Sequence, residues 1–416
     1  MVDIRPAAES VFRQESGRII ASLIRVSGSF DRAEEAIQEA FASALASWPD
    51  KGVPENPGAW IAATAHRKLI DAVRREHTRR EKQDSLRYET ETAGSPSDPD
   101  FEEASMHFPD DRLRLIFTCC HPALNREAQV ALTLRTLSGL STPEIAKAFL
   151  MPEATLAQRL VRAKRKIQEA HIPYEIPPAD RLPERLESVQ AVIYLIFNEG
   201  YAATSGQALV RRDLCAEAIR LGRVLSELVP DEAESVALLA LMLLHDSRRD
   251  ARIVNGELVT LEEQDRSLWD GPAIAEGLAL VEKALKMGRP GSYQLQAAIA
   301  ALHSQARAPE ETDWRQIAAL YEGLLELNPS PVIALNHAVA VAMSEGLEEG
   351  LGRIDDLGVS RALDHYYLFH AARADLLRRL GRLGEAGEAY RRAVGLASNG
   401  VEQAFLKTRL RDCGAG

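Results

Sequence analysis

The chain has 416 residues, a formal net charge of −11 and 46% hydrophobic residues. That balance fits a globular protein of about two to four domains and excludes a fibrous, wholly disordered or uniformly basic chain. Four cysteines give no disulfide framework, so a reducing cytoplasm is expected. The N-terminus has no charged-then-apolar leader, and no run of about 18 apolar residues offers a membrane span. No membrane partner is expected. The acidity is uneven: from residue 176 onward there are 26 basic and 35 acidic residues, so any contact with nucleic acid must come from local basic patches.

Helical periodicity dominates, and the expected fold is all-α. An amphipathic helix is predicted over 31–48, with Asp31 as cap, Glu34 in the capping-box position and a stripe of Ala33, Ile37, Ala40, Phe41, Ala44, Leu45 and Trp48. Its other face carries Glu35, Gln38 and Glu39. A loop is expected over 49–56, containing Lys51 and Asn56. Asn56 then caps a second helix that begins at Pro57, carries Trp60, Ile61, Ala65, Leu69 and Ala72, and ends in a basic run. Residues 66–82 hold seven Arg or Lys against three acids.

Residues 83–106 are polar and acidic, with Gly94-Ser95-Pro96 and Asp98-Pro99-Asp100, and are expected to be a flexible linker. A second helical domain is expected over 107–172, ending in two short helices across a tight turn. There Ser141 is placed as N-cap, Pro143 falls in the first turn, and Glu144 completes a capping box. Met151-Pro152 breaks the first helix. In the second, Leu156, Leu160, Ala163 and Ile167 share one face, and Thr155, Gln158, Arg159, Arg162 and Lys166 the other. Residues 159–166 hold five basic and no acidic residues. This is the pattern of a DNA-reading helix-turn-helix.

The proline-rich stretch 173–183 is expected to be another boundary. Beyond it, 184–416 carries faint repeats. Ala374, Leu377, Gly381, Leu383, Ala386, Tyr390 and Ala393 have the small-and-aromatic spacing of a tetratricopeptide helix pair, and Ile317, Tyr321, Leu324 and Pro329 repeat half of it. Ala218, Leu225 and Pro230 form a weaker copy. The spacing is interrupted near 246–271, where 252–261, around Asn255-Gly256, is the one strand-like stretch. An α-solenoid is the expected architecture.

Cys119-Cys120-His121 lacks a second cluster at zinc spacing, so core packing is expected and no metal. Likewise, His245-Asp246 and 198–201 come with no nucleophile elbow, phosphate loop or zinc motif. They are read as helix ends and inter-helix hydrogen bonds. No catalytic residue is nominated, no cofactor is implied, and the chain is not expected to be an enzyme.

Two linked patterns resemble extracytoplasmic-function sigma factors of bacterial RNA polymerase. Asp31, Ala33, Glu34, Gln38, Glu39, Ala40 and Phe41, followed by Pro57, Trp60, Ala65, Asp71, Arg74 and Arg75, resemble sigma region 2. Gly139, Leu140, Glu144, Ile145, Ala146, Thr155, Arg159, Leu160, Arg162 and Ala163 resemble sigma region 4. The long extension, with FTCCHPAL at 117–124, is similar to the group that carries a tetratricopeptide-like C-terminal domain. The resemblance implies that Glu35, Gln38 and Glu39 dock on core RNA polymerase. It implies that Lys51 and Asn56 lie in a loop reading the −10 element of promoter DNA, with Arg67, Lys68, Arg74 and Arg75 on its backbone. The family often has Asn where this chain has Arg67, a departure at that position.

In region 4 the resemblance sends the helix from Glu153 into the −35 major groove. Thr155, Gln158, Arg159 and Arg162 would contact base or phosphate, and Lys164, Arg165 and Lys166 phosphate. The linker acids Asp98, Asp100, Glu102 and Glu103 read either as plain disorder or as a mimic of nucleic acid in the polymerase channel. The extension is expected to regulate the sigma regions in cis, with a protein or peptide partner of its repeats as a further expectation. The competing reading is a DNA-binding regulator with a helical sensor domain, which would have no need of the pattern over 31–75.

Overall fold

The computed structural model describes residues 5–85, 108–149, 151–203, 209–288 and 290–414. The acidic stretch 86–107, with Asp98, Asp100, Glu102 and Glu103, lies outside them. Among the described residues the fold is all-α with one two-stranded hairpin. The chain divides into two compact units, 1–192 and 193–416.

In the first unit α1 (Arg5–Ser27), α2 (Phe30–Lys51) and α3 (Pro57–Ser85) pack mutually. Their shared core holds Ile19, Leu23, Ile37, Ala40, Ala44, Trp48, Ile61, Ala65 and Leu69. Then α4 (Phe108–Cys119), α5 (Arg126–Thr136), α6 (Thr142–Ala148) and α7 (Glu153–Glu169) surround a second core of Leu115, Phe117, Leu132, Leu134, Ile145 and Leu156. These two helix groups are not separate bodies, because α1 packs on both α4 and α5. The approach is close enough that a Cβ on Gly17 would stand 2.5 Å from the Leu137 carbonyl oxygen. Tyr174, from the proline-rich stretch, sets its hydroxyl 2.8 Å from the Ala21 carbonyl oxygen and 3.0 Å from that of Asp111. Buried Asp111 in turn accepts from Arg25 and Arg114.

Two sequence expectations are corrected here. Asp31 does not cap α2: Ser29, with extended backbone, accepts from the Arg32 N–H at 3.4 Å, and Phe30 opens the helix with its ring buried. Nor does the loop start at Pro49. The helix runs through it to Lys51 and stops at Gly52, whose positive φ of 80° lets its N–H reach the Trp48 carbonyl. Asn56 does cap α3, accepting from the Ala59 N–H at 3.0 Å.

The dividing position falls within α8 (Leu182–Tyr201). The second unit continues with α9 (Arg212–Leu228), α10 (Ala233–Asp246), strands β1 (Ile253–Val254) and β2 (Glu257–Leu258), α11 (Gly271–Lys286), α12 (Ser292–Gln305) and α13 (Trp314–Leu327). It ends with α14 (Pro331–Ser344), α15 (Leu347–Val359), α16 (Tyr367–Arg379), α17 (Leu383–Leu396) and α18 (Gly400–Asp412). From α13 to α18 the helices pack chiefly on their neighbours in sequence, whereas α12 packs most on α10, an irregular form of a solenoid. Helix α10 is buried almost all round because α9, α11 and α12 all cover it.

In the α16–α17 pair Ala374, Leu377, Ala386, Tyr390 and Ala393 are buried, and Gly381 takes the turn at φ 76°. This is the close helix packing that the repeat spacing called for. The interruption is the β-hairpin, pairing Ile253 with Leu258 and Val254 with Glu257. Its two-residue turn uses Asn255 and Gly256, both with positive φ.

Candidate nucleic-acid interface

Helix α6 begins as the capping box requires. The Ser141 backbone N–H donates to Glu144 Oε2 at 2.7 Å, and the Glu144 N–H donates to Ser141 Oγ at 3.3 Å. Helix α7 follows from Pro152. Leu156, Leu160, Ala163 and Ile167 are buried against α5 and α6, which turns Thr155, Gln158, Arg162, Arg165 and Lys166 to solvent, with Arg159 half-buried. The exposed face can therefore enter a groove without any core residue moving. Arg165 also pairs with Glu169 at 2.6 Å, one turn away and equally exposed.

Lys164 departs from the sequence expectation. Its side chain is only 14% exposed, with Nζ 2.9 Å from Glu34 Oε2 and 3.0 Å from Asp31 Oδ1 at the start of α2. In this arrangement it is an internal cation joining the two helix groups of the unit, turned away from the face that Arg162 presents.

Around α2 and α3 the candidate residues fall into three places. Glu35 and Glu39 share a groove of about 400 Å3 with Lys68 and Arg75, and Lys68 Nζ stands 3.5 Å from Glu39 Oε2. The residues proposed for polymerase and those proposed for DNA backbone thus meet in one groove. Helical geometry explains the split: Lys68 and Arg75 are seven residues apart and share a face, while Arg67 and Arg74 lie about 100° round the helix. Arg67 folds back on its own helix, donating to the Ala63 carbonyl at 3.3 Å. Gln38 is exposed on α2 outside the groove lining. Of the basic run ending α3, the side chains beyond Arg75 lie outside the described residues.

Lys51 and Asn56 flank the third place, the short loop 52–56, and both are exposed. Beneath it Trp48 and Trp60 meet edge to face with centroids 5.6 Å apart, a rigid apolar base. Asn56 Oδ1 accepts from the Ala59 N–H, which leaves its amide NH2 and the second lone pair of its oxygen for a base edge.

Cys119 and Cys120 are buried free thiols beside Thr136 and Thr133, at 3.2 and 3.6 Å. Burial pushes both thiols up, Cys120 to about 11, so they pack as small neutral groups. Glu199 of α8 pairs with Arg211 at the start of α9 at 2.8 Å, an inter-helix contact, and Asp246 pairs with Arg249 at its own helix end. What the sequence did not yield are the contacts joining the two helix groups: Lys164 with Asp31 and Glu34, Tyr174, and Arg25 with Asp111. An aromatic residue in a proline-rich stretch was the one available signal, since a tyrosine there buries its ring when it finds a core.

Comparison with known families follows this geometry. Residues 11–80, which contain α2 and most of α3, match Sigma-70 region 2. Residues 114–167, ending within α7, match Sigma-70 region 4. Over 172 residues the chain is 26% identical to a protein described as the probable ECF RNA polymerase sigma factor SigI of Mycobacterium tuberculosis, covering 41% of this chain and 57% of that one. The chain belongs to the sigma factors of the ECF type.

This sigma factor carries more than the two regions. Residues 185–285 match a family of unknown function, DUF6596. The chain is also 46% identical over 403 residues to an uncharacterized protein of Rhizobium meliloti, covering 94% of this chain and 92% of the other. The two are members of one family that shares the extension as well as the sigma regions. Among the described residues no helix is long and apolar enough to cross a membrane.

Proposed function

We propose that this sigma factor binds core RNA polymerase through Glu35, Gln38 and Glu39 and carries it to promoters with two DNA-reading elements. Lys51 and Asn56 read the −10 element over the Trp48–Trp60 base, and Arg67, Lys68, Arg74 and Arg75 hold its backbone. Thr155, Gln158, Arg159 and Arg162 contact the −35 major groove, flanked by Arg165 and Lys166 on phosphate. Lys164 joins them only if its pairing with Asp31 and Glu34 opens. The extension regulates these steps in cis, and its repeats offer a surface for a protein or peptide partner. No catalytic step or cofactor is assigned, and the work belongs in the cytoplasm with the polymerase.

The observation that carries this reading is the face of α7: Thr155, Gln158, Arg162, Arg165 and Lys166 are exposed over a buried apolar stripe of Leu156, Leu160, Ala163 and Ile167. The test is reconstitution with core polymerase and run-off transcription on genomic fragments. Core binding and discrete transcripts are expected, and a chain ending after Tyr201, which keeps α8 whole, should give a different transcript yield. No core binding would leave only a DNA-binding regulator. Equal yields would remove the regulatory role of the extension.

A further inference from the structure

Within the second unit, residues of α8, α10, α12, α13 and α14 line a cavity of about 310 Å3 that opens to solvent at Asn336. Its lining includes the apolar side chains of Ile299, Leu324 and Ile333 and two amides, Asn336 and Gln296, the latter accepting from the Tyr194 hydroxyl and donating to the Ser292 carbonyl. At one end stands Arg248, 7% exposed. Its Nη2 donates to the Tyr201 hydroxyl at 3.2 Å and lies 2.7 Å from His245 Nδ1. Its Nε is buried with no hydrogen-bond partner. Among the described residues no carboxylate comes within ion-pair reach of this guanidinium.

The neighbouring groove makes a contrast. It holds about 530 Å3 and shares Leu261 and His303 with the inner cavity. Three of its arginines carry counter-charges: Arg379 pairs with Glu262 and Asp375, Arg378 with Asp375, and Arg409 with Glu263. Its fourth, Arg266, donates to the His303 and Ala306 carbonyls, and Arg248, in the other cavity, has no counter-charge. The Tyr201 hydroxyl, His245 and the Trp269 ring 5.9 Å away offset part of its burial, but a buried cation without a counter-charge is costly, and the cavity has room for an anion.

We propose that this cavity is a binding site for a small organic anion: one carboxylate on the Nε edge of Arg248, an apolar body along Ile299, Leu324 and Ile333, and polar substituents met by Gln296 and Asn336. Volume and lining match small-molecule sites, which are largely apolar with a few placed polar groups. His245 and His303 add uncharged imidazoles at the same end, since burial and the nearby arginines hold both well below the ordinary histidine range. They can donate to a carboxylate without charge of their own. The site deepens the regulatory reading of the extension by naming the class of its signal, yet its test needs no polymerase.

Thermal unfolding of the full chain would be followed with benzoate, hexanoate, benzamide and inorganic phosphate, each up to 10 mM. With a dissociation constant near 1 mM, benzoate or hexanoate should raise Tm by about 3 °C, and benzamide should not. Arg248→Met should abolish the response. Asn336→Leu, nearly isosteric, should weaken it in a chain whose arginine is intact, which guards against a variant that simply fails to fold. No shift with either carboxylate, an equal shift with benzamide, a shift with phosphate alone, or a full response in both variants would overturn the proposal. Because binding is read without transcription, its failure would leave the sigma-factor reading untouched.

Discussion

Lys164 Nζ lies 2.9 Å from Glu34 Oε2, with side chains only 14% and 16% exposed, although 130 residues separate them in sequence. The pair ties α7 of region 4 to the N-terminal part of α2 in region 2. Asp31, 72% exposed on its carboxylate side chain, adds little because water screens it. A double-mutant cycle with Lys164→Met and Glu34→Gln should give a coupling of about 1–2 kcal/mol by chemical denaturation. Simple additivity would mean that the pair carries no stability.

Gly17 is the second tie. A methyl group there meets the Leu137 carbonyl oxygen at 2.5 Å, and a backbone atom cannot swing away as a side chain can. Gly17→Ala should cost about 1–3 kcal/mol and loosen α1 from α5, seen as faster amide exchange over 132–140. An unchanged exchange pattern would show that the two regions do not depend on this contact.

Arg162 stands exposed at the centre of the α7 face. Arg162→Ala should weaken −35 binding by about 1–3 kcal/mol if it reads a base, or lower the salt slope by about 1 if it holds phosphate. Lys164→Ala should leave that slope unchanged, because in the native protein Lys164 is held by Glu34 and not by phosphate. Filter binding across a salt series separates these results.

Asn56 does two jobs that substitution can separate. Asn56→Ala removes the cap on α3 and should cost about 1 kcal/mol. Asn56→Asp keeps an accepting oxygen for the Ala59 N–H but loses the NH2, so stability should hold while −10 opening falls. Permanganate reactivity of the −10 thymines, read beside Tm, distinguishes the two.

Acid should weaken the extension. His303 is pushed down to about 4 by burial and by Arg248 and Arg266, and His245 is lowered in the same sense. The unfolded chain takes up protons near pH 6.5 and the folded one does not, so stability present above about pH 6.5 is lost as pH falls toward 4. Unfolding midpoints at pH 7.5, 6 and 5 should fall in that order. A flat profile would mean that these imidazoles titrate normally.

The legible parts of this molecule were those with local causes. The Ser141–Glu144 capping box, the stripe from Leu156 to Ile167 and the Asn56 cap each depend on residues within a few positions of one another. Where two local signals competed, the sequence misled: Ser29 and Asp31 are both good caps, and burial of the Phe30 ring decided for Ser29. Pro49 read as a stop, but near a helix C-terminus it removes one hydrogen bond and the chain ran on to Gly52. The long-range features were out of reach. Nothing near Lys164 announces Glu34, and nothing near Arg248 announces that its carboxylate partner is missing.

The most direct measurement is run-off transcription with purified core polymerase, the full chain, and a variant carrying Glu35→Lys and Glu39→Lys. The account predicts promoter-specific transcripts with the native chain and none with the variant, whose charge-reversed helix would no longer hold the polymerase. Equal transcription by both, or no core binding by the native chain, would contradict it.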